Sequence, residues 1–153
     1  MIGSLFAKGH SIAAGRAWYV EKNRRAEMNS RSVSQRSHLD LGRRGEQLAV
    51  RHLVRKGYRI LKRNFHTRRG EIDIIARHGD QIVFVEVKTA RGKTYGSPRD
   101  WVDPRKQARI IYAAVVYLAL NGIQDTDCRF DVIAIELDRT KPRLTHVINA
   151  FTA

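Results

Sequence analysis

Residues 70–90 read GEIDIIARHGDQIVFVEVKTA, and their reading decides the fold. Two apolar strands, Glu71–Arg77 and Ile82–Thr89, flank a tight connection, His78-Gly79-Asp80-Gln81, which is the pattern of a β-hairpin. A two-residue turn at Gly79-Asp80 and a four-residue loop over 78–81 predict the same register. Arg77 then pairs with Ile82, Ala76 with Val83, Ile74 with Val85 and Ile72 with Val87. Side chains alternate across a strand, so these isoleucines, Ala76 and the valines make one wholly apolar face. A slip by one residue would turn that face to the other side, which specifies the register. On the opposite face Asp73 falls across from Glu86, and Glu71 across from Lys88.

Directly opposed β-carbons lie about 4.5–5.5 Å apart, and like charges there are destabilising. Two carboxylates at that spacing call for a counter-charge. A hard divalent cation supplies one, as Mg²⁺ does with one or two carboxylates and phosphate oxygens. Lys88, two residues on and on the same face, is placed to hold a phosphate or to assist an attacking water. Such a site would make water more acidic and stabilise charge developing at phosphorus. The plain alternative is a solvated strand face with cross-strand charges.

Outward from the hairpin, Tyr58–Phe65 reads as a preceding strand and Arg68-Arg69-Gly70 as a turn. Before them, Leu41, Gly45, Leu48, Ala49, His52 and Leu53 recur at helical spacing, predicting a helix over 41–56 with Asp40 as N-cap and Gly57 as its end. After the hairpin, 90–102 reads as a loop. Asp103-Pro104 then opens a second helix that stops at Asn121-Gly122. Its middle is apolar almost all round, so it is buried on most sides. Arg129–Leu137 is a nearly continuous apolar strand suited to the middle of a sheet, and Leu144–Ile148 is the last. The order α-β-β-β-α-β-β predicts an α/β fold, a mixed sheet flanked by helices. One domain over 40–153 accounts for it. Residues 1–39, rich in Ser, Arg, Asn and Lys, read as a basic, disordered or weakly ordered extension, within which Met28 is a second candidate start.

The chain has 153 residues, 29 Lys and Arg against 15 Asp and Glu, and a formal net charge of +14. Such an excess points to an anionic partner: nucleic acid, a membrane surface or ribosomal RNA. Cys128 is the only cysteine, which excludes an internal disulfide and a thiolate metal cluster and favours a reducing compartment. It is expected to be a small buried residue. No apolar run reaches the roughly 18 residues that span a bilayer, and the N-terminus lacks a signal-peptide pattern. The expected location is cytoplasmic, with no membrane partner.

GEIDIIA followed by FVEVKTA resembles the PD-(D/E)XK nuclease motif. With LGRRGEQLA, GYRILKRNF, YGSP, VDPRKQARI, RFDVIAI and HVINAF, the chain from about 41 to 151 resembles the bacterial YraN family, UPF0102. That resemblance implies a restriction-endonuclease-like core, α-β-β-β-α-β, similar in fold to archaeal Holliday-junction resolvases. It implies Asp73, Glu86 and the carbonyl of Val87 as ligands of Mg²⁺ or Mn²⁺, and Lys88 as the motif lysine. It also implies that Glu46 joins the site. Glu46 borders the apolar face of its helix, where a carboxylate wants a partner. Ile72 stands where the motif has proline.

Glu71 is expected to pair with Lys88. Lys106 and Gln107 occupy the first turn of the second helix, where a cation opposes the dipole and a phosphate would relieve the conflict. Arg63, His66, Arg68 and Arg69 form a basic stretch suited to backbone phosphates. The expected function is a metal-dependent endonuclease on DNA, on branched or recombining structures, with a homodimer and a helicase as candidate partners. A nucleic-acid-binding module that cuts nothing alone is the alternative, and an RNA- or ribosome-associated protein a third.

Overall fold

The structure, a computed structural model, describes residues 39–92, 101–138 and 141–153. The expectations for 1–38, including Met28, and for the loop over 93–100 lie outside the described residues. A helix over 39–55 (α1) comes first, and Asp40 lies within it rather than capping it. Then follow β1 (Arg59–His66), β2 (Glu71–His78), β3 (Gln81–Arg91), α2 (Pro104–Leu120), β4 (Cys128–Leu137) and β5 (Arg143–Phe151). All belong to one compact unit, Leu41–Ala153, apart from the first two residues of α1.

The five strands form one sheet in sequence order. β1–β2, β2–β3 and β4–β5 pair antiparallel, whereas β3 and β4 pair in parallel. A parallel pair needs a crossover of a dozen or more residues, and α2 supplies it. The fold is thus α/β with a mixed sheet. Leu53 and Ala49 of α1 pack with Ile74, Ala76, Val83, Val85, Ile133 and Ile135. On the other side, Ile110, Ala113, Ala114 and Tyr117 of α2 pack with Ile75, Ile82, Phe84, Phe130 and Val132. Each face of the sheet therefore carries one helix. Gly57 ends α1 as predicted, with Tyr58 N–H bonded to the Leu53 carbonyl (3.0 Å) and Gly57 N–H to that of Val54 (3.0 Å), the Schellman arrangement.

The hairpin register is the predicted one: Ile74 faces Val85, Ala76 Val83, Arg77 Ile82 and His78 Gln81. Ile72 departs from the expected face. It packs in the α2-side core with Ile75, not with Ile74. The β2–β3 ladder ends at Ile74–Val85, so strict alternation fails just where β2 leaves its partner. Cys128 is exposed rather than buried, because it stands at the first position of β4, ahead of the covered part of that strand. No described helix is long and apolar enough to cross a membrane.

Candidate functional site

Asp73 and Glu86 come together where β2 and β3 part. Past the last pair of the ladder, the Val87 N–H donates to Asp73 Oδ2 at 2.7 Å. The aspartate thus serves as acceptor for the β3 backbone, which fixes its carboxylate against Val87. β3 itself runs on beside β4 as far as Arg91.

Glu86 is 4% exposed. Lys88 Nζ lies 3.1 Å from its Oε1 and Lys106 Nζ 3.5 Å. Its Oε2 is buried and accepts no hydrogen bond. A buried carboxylate oxygen without a donor costs roughly 1–3 kcal/mol or more, so this atom marks a place where a further positive ligand would be stabilising. Burial first, then the charge of Glu86, pushes Asp73 up to about 7; Glu46 adds to the rise, while the Val87 N–H and Lys106 oppose it. A carboxyl group that holds its proton near neutrality because it is buried, and beside an anion, is one that a metal would deprotonate on binding.

Lys106 acts on both acids: it lies 3.5 Å from Glu86 and opposes the rise at Asp73. Its α2 backbone is set by Asp103, whose Oδ1 accepts the N–H groups of Arg105 (2.9 Å) and Lys106 (3.0 Å). The Asp103 carboxylate thus already brings to this helix end the negative charge that a phosphate was expected to supply. The Lys106 side chain bonds to Glu71 Oε1 at 3.1 Å and reaches Glu86. Burial alone would lower its pKa, but the attraction of Glu86, with that of Glu71 and Asp73, raises it on balance. Glu71 pairs with Lys106 and with His66 Nδ1 (3.4 Å), not with Lys88. The expected pairing fails because Lys88 turns to Glu86. The Lys106 hydrogen bond holds the Glu71 carboxyl below its usual range. Gln107 donates to the Val102 carbonyl at 2.9 Å, which ties down the entry to α2.

Glu46 reaches this region because α1 lies close to β3. A Cβ on Gly45 would collide with the Thr89 side chain, so only glycine lets the helix approach there. The Glu46 carboxylate sits 3.8 Å from Arg63 Nη2 and is the last of the influences on Asp73. Arg68 and Arg69 lie in the exposed β1–β2 turn, Arg69 over the Tyr112 ring at 5.6 Å. Among the described residues no three His, Cys, Asp or Glu side chains converge in a metal-holding group. The donor set is two carboxylates with one orphan oxygen. It fits a hard cation that completes its shell with water and phosphate oxygens, held by Asp73 and Glu86 beside the Val87 backbone.

A second polar cluster gathers around Asp131, whose donors the sequence did not reveal. Asp131, 1% exposed on β4, accepts from Arg129 Nε (3.1 Å), His146 Nε2 (2.9 Å) and the Asn149 N–H (2.9 Å). A bulge in β5 makes the last bond: the β4–β5 register shifts between Phe130 and Val132, and Asn149 takes φ 54°. Arg129 goes on to Gln81 and Tyr58, both at 2.7 Å, and His146 Nδ1 meets His52 Nε2 at 3.3 Å. The only signal in the sequence is one acid inside an apolar strand.

The profile of the uncharacterised protein family UPF0102 matches residues 45–135. That span holds Glu46, the whole hairpin, Lys106 and Asp131. The chain belongs to UPF0102, the YraN family. A UPF0102 protein of Syntrophomonas wolfei is 46% identical over 112 residues, covering 73% of this chain and 97% of the relative. One from Geobacter sulfurreducens is 52% identical over 112 residues, 72% and 88% of the two chains. One from Chlorobium phaeobacteroides is 50% identical over 118 residues, 73% and 94%. The UPF0102 description assigns no reaction, so the chemistry rests on the residues above.

Proposed function

We propose that this UPF0102 protein is a nuclease with a restriction-endonuclease-like core that hydrolyses phosphodiester bonds in DNA with Mg²⁺ or Mn²⁺. The observation that carries the reading is the buried, unpartnered Oε2 of Glu86 beside Asp73, with two lysines in reach. A divalent cation bound there supplies charge neutralisation and a more acidic water. Asp73 and Glu86 would hold it, and the Val87 N–H keeps Asp73 in position. Lys88, about one-third exposed, is placed to contact a non-bridging phosphate oxygen and to stabilise the charge that grows there. The net charge of +14 supports a polyanionic substrate, and the resemblance to junction resolvases supports branched DNA.

Among the described residues no third acid, histidine or cysteine completes a metal-holding group with Asp73 and Glu86, which favours a second reading, a nucleic-acid-binding module that cuts only with a partner. A cleavage panel of single-stranded, duplex, flap and four-way-junction DNA with each metal separates the two. Calorimetry should show Mn²⁺ binding to the wild type and its loss in Asp73→Ala and Glu86→Ala. Unchanged Mn²⁺ binding in both variants would remove the site.

A further inference from the structure

Where the β1–β2 turn leans on α2, a cavity of about 680 Å³ opens beside the carboxylates. Four fixed cations line it: Arg68 and Arg69 from the turn, Lys106 and Arg109 from the helix. Its one carboxylate, Glu71, is already engaged by Lys106 and His66. Arg68 and Arg109 form no ion pair among the described residues. Unpaired cations around one concavity repel one another, and an anion between them removes that repulsion.

The frame around the cavity is rigid. Thr67 N–H and Oγ1 both donate to the Gly70 carbonyl (2.8 Å each), and Oγ1 accepts the Gly70 N–H at 3.0 Å. Gly70 lies so near the Arg109 carbonyl that no Cβ would fit. The turn arginines and Arg109 are thus anchored along one seam of backbone. The volume exceeds what a bare phosphate fills and lies within the range of small-ligand sites. Its walls are polar, with no large apolar side chain among them, which suits a phosphate with its sugar better than a stacked base. Lys106 belongs to both places: it lines the cavity and lies 3.5 Å from Glu86.

We infer that this cavity is a phosphate subsite that holds, without metal, the phosphate next to the one at Asp73 and Glu86 on the same nucleic-acid strand. The inference rests on the site's acting on nucleic acid. Arg109 and Arg68 are its anchoring residues, and Lys106 spans the step between the two phosphates.

The test is fluorescence anisotropy of a short 3′-labelled oligothymidylate bound to the full chain in EDTA. Arg109→Gln and Arg68→Gln should each weaken binding about five- to tenfold and reduce the salt slope by about 0.7, one single-strand phosphate contact. Arg51→Gln, an exposed charge on α1, should weaken it less than twofold. Arg109 meets Gly70 through its backbone, so the side-chain change leaves the seam in place. Equal effects at all three positions would overturn the subsite. Preference for a 5′-phosphate over a 5′-hydroxyl end, lost in Arg109→Gln, would identify a terminal monoester as the occupant; no preference, with the arginine effects intact, would identify an internal diester. If the arginine effects hold and no DNA is cut with any metal, the nuclease reading fails and the subsite stands. If DNA is cut and the effects are absent, the subsite alone fails.

Discussion

Replacing Asp131 by alanine should lower the melting temperature of the metal-free protein by about 12–20 °C. Three donors converge on this buried carboxylate, two of them from Arg129 and His146. Hydrogen bonds to a charged group contribute about 1.5–3 kcal/mol each, and a neutral backbone donor about 1. Arg129 keeps Gln81 and Tyr58, which offsets part of its loss. The net cost is then about 3–5 kcal/mol, as for other buried pairs that lose one partner. A domain of this size shifts by about 4 °C per kcal/mol. Asp131→Asn keeps the volume but turns an amide toward donors, and should cost about half as much. Circular dichroism on thermal unfolding measures both. The acid limb gives a second readout. Burial works to raise the Asp131 pKa, but the His146 bond, the Asn149 N–H and Arg129 together hold it below the usual carboxylate range. Its contribution is therefore complete above the unfolded carboxylate pKa and lost as pH falls through the lower folded value. Below about pH 4 the wild type should lose stability more steeply than the variants. A drop under about 5 °C for Asp131→Ala, with an unchanged acid limb, would refute the reasoning.

Asp73 at the candidate metal site should behave in the opposite sense. Asp73 is raised to about 7, so the folded protein holds a proton that the unfolded chain releases, and stability is lost as pH rises toward that value. Asp73→Asn should accordingly raise the melting temperature at pH 8 without metal by about 4 °C or more, since it relieves a buried like-charge pair; a fall on calorimetric unfolding would contradict this. If DNA is cut, Lys88→Ala should slow single-turnover cleavage about 10²-fold while changing DNA affinity less than threefold; equal losses in both would make Lys88 a binding residue only. Gly70→Ala should cost about 1–3 kcal/mol from the forced shift at Arg109 and weaken metal-free DNA binding with no charge removed. Unchanged affinity in a destabilised variant would separate the seam from the subsite.

What was legible in the sequence was local. The hairpin register followed from turn length and one apolar face, and it placed Asp73 near Glu86. The limits of α2 followed from Asp103, Pro104 and Gly122. Ile72 was misplaced because alternation assumes a continued ladder, and the ladder ends beside Asp73. The partner of Glu71 was misassigned for a tertiary reason: α2 returns across the sheet and delivers Lys106. Arg109 joins the cavity by the same return, and no spacing along the chain signals it. Two of the three donors to Asp131, His146 and the Asn149 N–H, come from β5 and its bulge, so they are invisible until β5 is laid against β4.

The sheet has two unlike borders. β1 presents Arg59, Lys62 and Arg63, with a register shift between Ile60 and Lys62, and both charge and irregularity discourage another strand from adding there. β5 carries Arg143 alone and leaves Ile148 58% exposed. The cations of β1 are thus also a guard against aggregation. In a test of the proposed DNA binding, stripping several at once would uncover a sticky margin, so single neutralisations, followed by light scattering, keep a loss of affinity distinct from a loss of solubility.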